Sequence, residues 1–371
     1  MKPFRKLNGE GSSGGAPYSQ EGTVTGDGSG GSKVDALLAA APRLSFQDDD
    51  SLRPPSYDDA NSVRSVFLPA HAGGAQDQIG VGVQDAIEFE YQFQVARSYE
   101  ELATTVVRHA GSKTTVLAIQ RLALGSHRPS TQTATSFSLV AVPLAANQLE
   151  LTAKANPELA MRSLKVGMLD IAEDDPDIQF GTIDWSERGT GKPGVYGTEL
   201  PPVFFERPYS MPPDILMFLN TFAFKPNSLR KIRPSIIGAG QQGFHPKITT
   251  GTSTLIDAKA TWVAIPKDSM RFDCGIFEVA PKASATASSF TGTVQFTKWK
   301  FPKKQPPKVF VGLAGIDMDT TRPFRYSVAV TGLSHEGFSW TVRNWDDSTF
   351  AYSWGAALSW IAIANPPITA L

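Results

Sequence analysis

The sequence predicts an all-β protein in which tandem antiparallel β-sandwiches follow an N-terminal tail. Two observations support this prediction. Apolar and polar residues alternate in short segments such as 87–95, and one set of sequence marks occurs twice in the C-terminal half. Beyond the tail, no stretch of about 12 residues or more has apolar residues at helical spacing. Short strands with turn residues between them are typical of sandwiches.

The first 62 residues have the composition of a disordered tail. Residues 1–33 are rich in glycine and serine, and residues 46–62 are acidic and polar, so neither stretch buries enough apolar surface to offset ordering. A short helix is expected at 34–41, ended by Pro42. Pro54, Pro55 and Tyr57 form a P-P-x-Y motif, and such segments, preset towards polyproline II, dock on the aromatic grooves of WW domains.

Region 63–170 is predicted to be rich in strands. Residues 114–119 and 136–142 have strand patterns, and turn residues separate them. The segment Thr114–Ile119 is similar to two apolar segments later in the chain, 262–265 and 360–363. We therefore expect either a divergent copy of the unit described next or an unrelated β-rich region.

Regions 171–267 and 268–371 each contain the same marks in the same order. A Pro-Pro pair precedes an apolar strand, an arginine opens the next strand, Gly-Phe opens a third, and a tryptophan lies in the last. The equivalent pairs are Pro213 and Pro307, 94 residues apart, Arg230 and Arg325, 95 apart, Phe244 and Phe338, 94 apart, and Trp262 and Trp360, 98 apart. Marks repeated at a near-constant offset indicate one structural unit used twice.

Composition excludes several classes of protein. The net charge is −1 over 371 residues, so the chain lacks the basic field of a nucleic-acid-binding protein. Five scattered histidines show no metal-ligand spacing, so no metal or cofactor is expected. Cys274 is the sole cysteine. The first residues have no apolar core of the kind a classical signal peptide needs, and no apolar run is long enough to span a membrane, so neither element is expected. We expect a cytoplasmic protein, or one secreted by an unconventional route.

The second copy resembles a known family. The segments P-P-K-V-F-V-G-L-A-G-I-D (306–317), F-R-Y-S-V-A-V (324–330), E-G-F-S-W-T-V-R-N-W-D-D-S (336–348) and L-S-W-I-A-I (358–363) are similar to the H-type lectin domain of snail agglutinins and discoidins. The resemblance covers 271–366 strongly and 177–266 more weakly. It implies a six-stranded antiparallel sandwich that assembles as a trimer. It also implies non-enzymatic binding of galactose or N-acetylgalactosamine at the edges between subunits.

The resemblance also implies a set of binding residues. Arg325 occupies the position of an arginine that bonds sugar hydroxyls, and Trp345 and Asp346 occupy those of an aromatic and a polar residue at a strand end. Tyr352 or Trp354 stands for a further aromatic in the next strand. The aspartate of the family's opening loop maps near Ala285, where this sequence has no acid.

The first copy matches the binding pattern less well. Arg230 is retained, but Gly251 and Thr252 stand where Trp345 and Asp346 stand in the second copy. We expect a weaker second site there.

Other interpretations of the same residues stay open. Arg325 is otherwise a surface arginine in an ion pair, and Trp345 a core residue. Asp346 and Asp347, with Asp317 and Asp319, resemble either charged strand ends or the carboxylate pair of a glycosidase.

Function and assembly each have two interpretations. The protein is expected to be a lectin for galactose-type glycans, or alternatively an oligomeric scaffold whose tail recruits WW-domain proteins. The assembly is either a trimer of chains or a pseudo-trimer within one chain, with region 63–165 as its third sandwich.

Overall fold

The computed structural model describes only part of the chain. The described residues are 82–90, 101–108, 113–125, 134–145, 148–156, 159, 161–172, 175–185, 198–226, 229–250, 255–279, 289–297, 301–318, 322–345 and 355–364. The predicted tail, its short helix and the P-P-x-Y motif lie outside these residues. The described residues form strands and no helix, which confirms the all-β prediction.

The strands fall into three successive groups, called here the first, second and third repeats. The first repeat contains β1 (Gly82–Glu90), β2 (Glu101–Arg108), β3 (Lys113–Leu124), β4 (Thr135–Ala145), β5 (Gln148–Ala155) and β6 (Met161–Ala172). The second contains β7 (Gln179–Asp184), β8 (Thr198–Glu199), β9 (Val203–Phe204), β10 (Asp214–Phe224), β11 (Arg230–Ala239), β12 (Gly243–Thr250) and β13 (Leu255–Ile265). The third contains β14 (Phe272–Val279), β15 (Ser289–Gln295), β16 (Lys308–Met318), β17 (Phe324–Thr331), β18 (Gly337–Arg343) and β19 (Ala356–Ile363).

Each repeat supplies two three-stranded half-sheets with the same strand order. One half-sheet has the order β1-β6-β3, β7-β13-β10 or β14-β19-β16, and the other has the order β2-β5-β4, β8-β12-β11 or β15-β18-β17. The short β9 also pairs with β12. The first repeat thus has the strand order of the other two, although it lacks their sequence marks.

Half-sheets from different repeats join edge to edge into larger antiparallel sheets. Strand β3 pairs with β17, β16 pairs with β11, and β10 pairs with β4. Each repeat is therefore hydrogen-bonded through one strand to each of the other two, and the three junctions connect the repeats cyclically.

A β-bulge interrupts the equivalent strand of every repeat at an equivalent position. The register of β3 against β6 skips Gln120, that of β10 against β13 skips Asn220, and that of β16 against β19 skips Ala314. The residues after each bulge are those that pair with the neighbouring repeat. A bulge bends and twists its strand, so it divides each strand into a part within its own repeat and a part that forms the junction.

All three repeats contribute to one shared cluster of buried side chains. It consists of Val116, Ala118, Leu169 and Ile171 from the first repeat, Ile178, Leu216, Phe218, Val263 and Ile265 from the second, and Phe272, Phe310, Ile361 and Ile363 from the third. The opposite faces of the same strands belong to a larger core that includes Trp262 and Trp360. Burial on both faces explains the continuous apolar runs in these strands.

One strand of the first repeat has a different place from the one its sequence suggests. The segment Thr114–Ile119 is similar to 262–265 and 360–363, which lie in the last strands of their repeats. In the structure, however, Thr114–Ile119 belongs to β3, the third strand of the first repeat, and the last strand of that repeat is β6. The two are similar in sequence because both lie in the half-sheet that is covered on both faces. The long segment after Ile119 thus contains the second half of the repeat.

Candidate functional site

Arg325 lies at the junction between the third and first repeats. It is the second residue of β17, and its backbone pairs with Ala123 of β3. Side chains alternate along a strand, so Tyr326 and Val328 enter the core while Arg325 lies on the opposite face. Arg325 is only 6% exposed, so it is not the surface arginine of the alternative interpretation.

The neighbouring repeat provides the space that the guanidinium of Arg325 occupies. Gly125 directly follows β3, and a Cβ atom at this position would lie 3.9 Å from Arg325 Nη2 and 3.3 Å from Pro323 Cβ. A larger side chain at Gly125 would therefore crowd Arg325. The first repeat, which carries none of the sequence marks, forms one side of this site.

Trp345 lies at the same end of the same half-sheet. Ser327 of β17 pairs with Arg343, the last residue of β18, and Trp345 follows two residues later. Trp345 is partly buried, which is intermediate between the two predicted environments, and Asn344 before it is buried. Asp346, Tyr352, Trp354 and the position near Ala285 lie outside the described residues.

Two buried polar groups adjoin Arg325 and Trp345 in sequence. The hydroxyl of Tyr326 and Oδ1 of Asn344 have no hydrogen-bond partner among the described residues. Complete burial raises the pKa of Tyr326 well above its ordinary value, so this phenol stays neutral.

Strand pairing aligns Arg325 with Lys231 and Ser136, not with Arg230. The residues that follow them, Tyr326, Ile232 and Phe137, are buried at equivalent places. Across the three junctions, Arg325 faces Ala123, Lys231 faces Asp317, and Ser136 faces Ala223. The offset between Arg325 and Lys231 is 94, the same as between Pro213 and Pro307 and between Phe244 and Phe338. The constant offset is the sequence signal that identifies Lys231.

Arg230 connects the three repeats to one another. From the second repeat, its Nε donates to Thr135 Oγ1 of the first repeat at 3.0 Å, and its Nη1 donates to the carbonyl oxygen of Arg322 in the third. These contacts give the side chain a structural role. They occupy the guanidinium that was predicted to form the weaker second site.

The position equivalent to Arg325 in the second repeat is neutralised internally. Lys231 Nζ lies 3.6 Å from Asp317 Oδ2, and the side chain of Asp317 is 4% exposed. Asp317 is thus held in an ion pair at a junction, which argues against its use in a glycosidase pair. Among the described residues, no group of three or more His, Cys, Asp or Glu side chains could hold a metal ion.

Comparison with protein families identifies the repeated unit. The model of the H-type lectin domain matches the chain twice, at residues 201–265 and 291–363. Two segments of the chain thus match the H-type lectin domain. They fall in the second and third repeats, as the sequence marks predicted, and the match does not extend to the first repeat.

H-type lectin domains bind carbohydrate, so the family match points to glycan partners. No curated protein and no solved structure matches the chain significantly. Within the part of the chain that the structure describes, no helix has the length and apolar character needed to cross a membrane.

Proposed function

We propose that this H-type lectin binds galactose- or N-acetylgalactosamine-type glycans, without catalysis, at the junction between its third and first repeats. The main support is Arg325, which occupies the family's binding position beside Gly125, at the end of the half-sheet where Trp345 follows β18. A hexopyranose needs charged or polar partners for its hydroxyls and an aromatic face for its apolar side. Arg325 and Trp345 supply these two requirements at one end of the sheet.

Each residue has a chemical role in this proposal. The guanidinium of Arg325 donates to sugar hydroxyls, and the indole of Trp345 packs against the apolar face of the ring. Asp346 accepts hydrogen bonds from hydroxyls, and Tyr352 or Trp354 adds a second aromatic contact. Without an acid near Ala285, the site would lack one acceptor of the family's pattern, which is expected to alter preference among these sugars.

A glycan array followed by calorimetry tests the proposal. Arg325→Lys keeps the charge but loses the planar donor fork. The loss of a charge-assisted hydrogen bond costs on the order of 1.5–3 kcal/mol, about tenfold or more in affinity. The matched control Lys231→Gln changes the equivalent position of the second repeat and should leave affinity unchanged.

An array on which the wild-type chain binds no galactose-type glycan would refute the proposed specificity. Turnover of aryl-galactosides that disappears in Asp346→Ala would instead support a glycosidase.

We also propose that one chain forms the complete trimer-like particle, with region 63–170 as a divergent H-type unit. The cyclic pairing of β3 with β17, β16 with β11 and β10 with β4 supports this assembly. Light scattering should give the mass of one chain, 40.0 kDa. A mass of three chains would mean that repeats from different molecules complete the trimer-like particle.

A second candidate function is a scaffold whose tail recruits WW-domain proteins. The observation that favours it is the motif formed by Pro54, Pro55 and Tyr57. Capture of a WW domain by the full chain, but not by a chain without residues 1–62, together with a silent glycan array, would support the scaffold over the lectin.

A further inference from the structure

We infer that each molecule has one glycan site, so that this lectin binds glycans without cross-linking them. The inference rests on the proposed function, because it concerns the number of sites of the kind described above. It follows from a comparison of the three junctions, which share strand order and register but differ in the residues that face one another.

The junction between the first and third repeats is the one suited to a sugar. The residue that faces Arg325 across this strand pair is Ala123. Gly125 leaves room beside the guanidinium, and Trp345 follows β18 at the same end of the half-sheet.

At the junction between the second and third repeats, the cation is already paired with a carboxylate. Lys231 faces the buried Asp317 and forms an ion pair with it. A sugar hydroxyl would have to displace the carboxylate of Asp317 from Lys231. The carboxylate would then remain buried without its cation, which is unfavourable. The equivalent of Trp345 in this repeat is Gly251, which provides no ring for stacking.

The same junction has an open cleft, but its lining does not suit a sugar. The cleft has a volume of about 300 Å³ and is lined mainly by apolar side chains, among them Ile215, Met217 and Ile276. Its charged residue, Arg233, forms an ion pair with Glu278. Sugar hydroxyls placed there would lose water without gaining partners, which is unfavourable.

The junction between the first and second repeats has no charge at the equivalent position. Ser136 stands in the place of Arg325 and faces Ala223. Asn156 stands in the place of Trp345, and its amide donates to the carbonyl oxygen of Ala134 at 2.9 Å. The strand continues with exposed Val140 and Val142, so this junction provides neither the donor fork nor the aromatic ring.

The shared cluster disfavours an assembly of three chains in which three copies of the same repeat meet. Ala118, Phe218 and Gly312 occupy equivalent positions in the three repeats, and one large side chain fills the space left by two small ones. A Cβ atom on Gly312 would lie 2.3 Å from Ala118 Cβ and 3.2 Å from a ring atom of Phe218. Three copies of the third repeat would leave a void at this level, and three copies of the second would overfill it.

Calorimetry with methyl N-acetylgalactosaminide and the full chain measures the number of sites directly. We expect a stoichiometry of one per chain, complete loss of binding in Arg325→Ala, and an unchanged stoichiometry in Lys231→Gln. Thermal unfolding of each variant shows whether it is folded, and Arg325→Lys provides a second variant if the alanine variant is not.

A cross-linking assay tests the functional consequence. The chain should not aggregate N-acetylgalactosamine-coated beads, whereas the same chain, biotinylated at its N-terminus and held on tetrameric streptavidin, should aggregate them. Two or three sites per chain, residual binding in folded Arg325→Ala, or bead aggregation by particles of one chain would overturn the inference while leaving the proposed function intact. The absence of any binding by the wild-type chain would overturn both.

Discussion

Arg325 illustrates how much a single residue can be predicted from sequence. Strand alternation correctly places it on the face opposite Tyr326, and the family pattern gives it a role. Its burial follows from a neighbouring strand more than 200 residues earlier in the chain, and no local pattern reports such a contact. The pairing of Lys231 with Asp317 is equally remote from any local signal, although the constant offset of 94 identifies the equivalent position.

Two tyrosines give opposite predictions for the loss of one hydroxyl. The hydroxyl of Tyr326 is buried without a partner among the described residues, whereas that of Tyr209 donates to the carbonyl oxygen of Ala264 at 3.0 Å. Tyr326→Phe should raise the free energy of unfolding by about 1 kcal/mol, and Tyr209→Phe should lower it by about 1 kcal/mol. Urea denaturation measures both. Destabilisation by Tyr326→Phe would mean that its hydroxyl has a partner.

The same tyrosines predict how stability changes at alkaline pH. Burial raises the pKa of Tyr209 to about 12, against an ordinary value of 10.0, and raises the pKa of Tyr326 as well. Above pH 10 the unfolded chain loses protons that the folded protein retains, so stability is complete below pH 10 and falls as the pH rises towards 12. Urea denaturation at several pH values should show this fall. It should be shallower in Tyr209→Phe, and an equal slope in both proteins would contradict the assignment.

At the scale of elements, the β-bulge is the feature that sequence analysis could not supply. The residue pattern of β10 and β16 is that of a strand. The prediction that each strand begins directly after a Pro-Pro pair is also correct. The bulges at Asn220 and Ala314 depend on what each strand pairs with on its two edges. For the same reason Thr114–Ile119 could be predicted as a strand but not placed correctly within its repeat.

The two connections between repeats are joined by an ion-pair cluster, which gives a prediction for Arg271. This side chain lies before β14 and donates to the carboxylates of Asp175 at 2.9 Å and Asp177 at 3.0 Å, which precede β7. The side chain of Asp175 is 2% exposed. Arg271→Ala leaves this carboxylate without its cation, and we expect a loss of about 3 kcal/mol in urea denaturation.

Lys267→Ala is the matched control for Arg271. Lys267 lies in the same connection as Arg271 and pairs with Asp214 of β10, but both side chains are about half exposed, at 53% and 48%. Exposed pairs contribute about 0–1 kcal/mol, so this variant should be close to the wild type. Equal effects of the two substitutions would show that burial of Asp175 does not determine the strength of the cluster.

For the whole molecule, the sequence predicted two units and left the first region open. The first repeat lacks the Pro-Pro, Gly-Phe and tryptophan marks but has the same strand order and the same bulge. Those marks determine where strands begin and how side chains pack within a single sandwich. The strand order is fixed instead by the pairing of β3 and β4 with the other repeats and by the shared cluster. Contacts this distant in sequence leave no periodic signal.

This interdependence predicts that the second and third repeats cannot fold without the first. Removal of residues 1–172 would expose the junction edges of β10 and β17 and would remove Val116, Ala118, Leu169 and Ile171 from the shared cluster. Unpaired strand edges beside exposed apolar surface favour aggregation. The chain 173–371 should therefore aggregate or unfold without a cooperative transition, whereas a chain lacking only residues 1–62 should unfold in a single transition. Circular dichroism during heating, with light scattering on the same samples, distinguishes these outcomes. A monomeric 173–371 chain that unfolds cooperatively would show that two repeats suffice for folding and that the three joined repeats are not one folding unit.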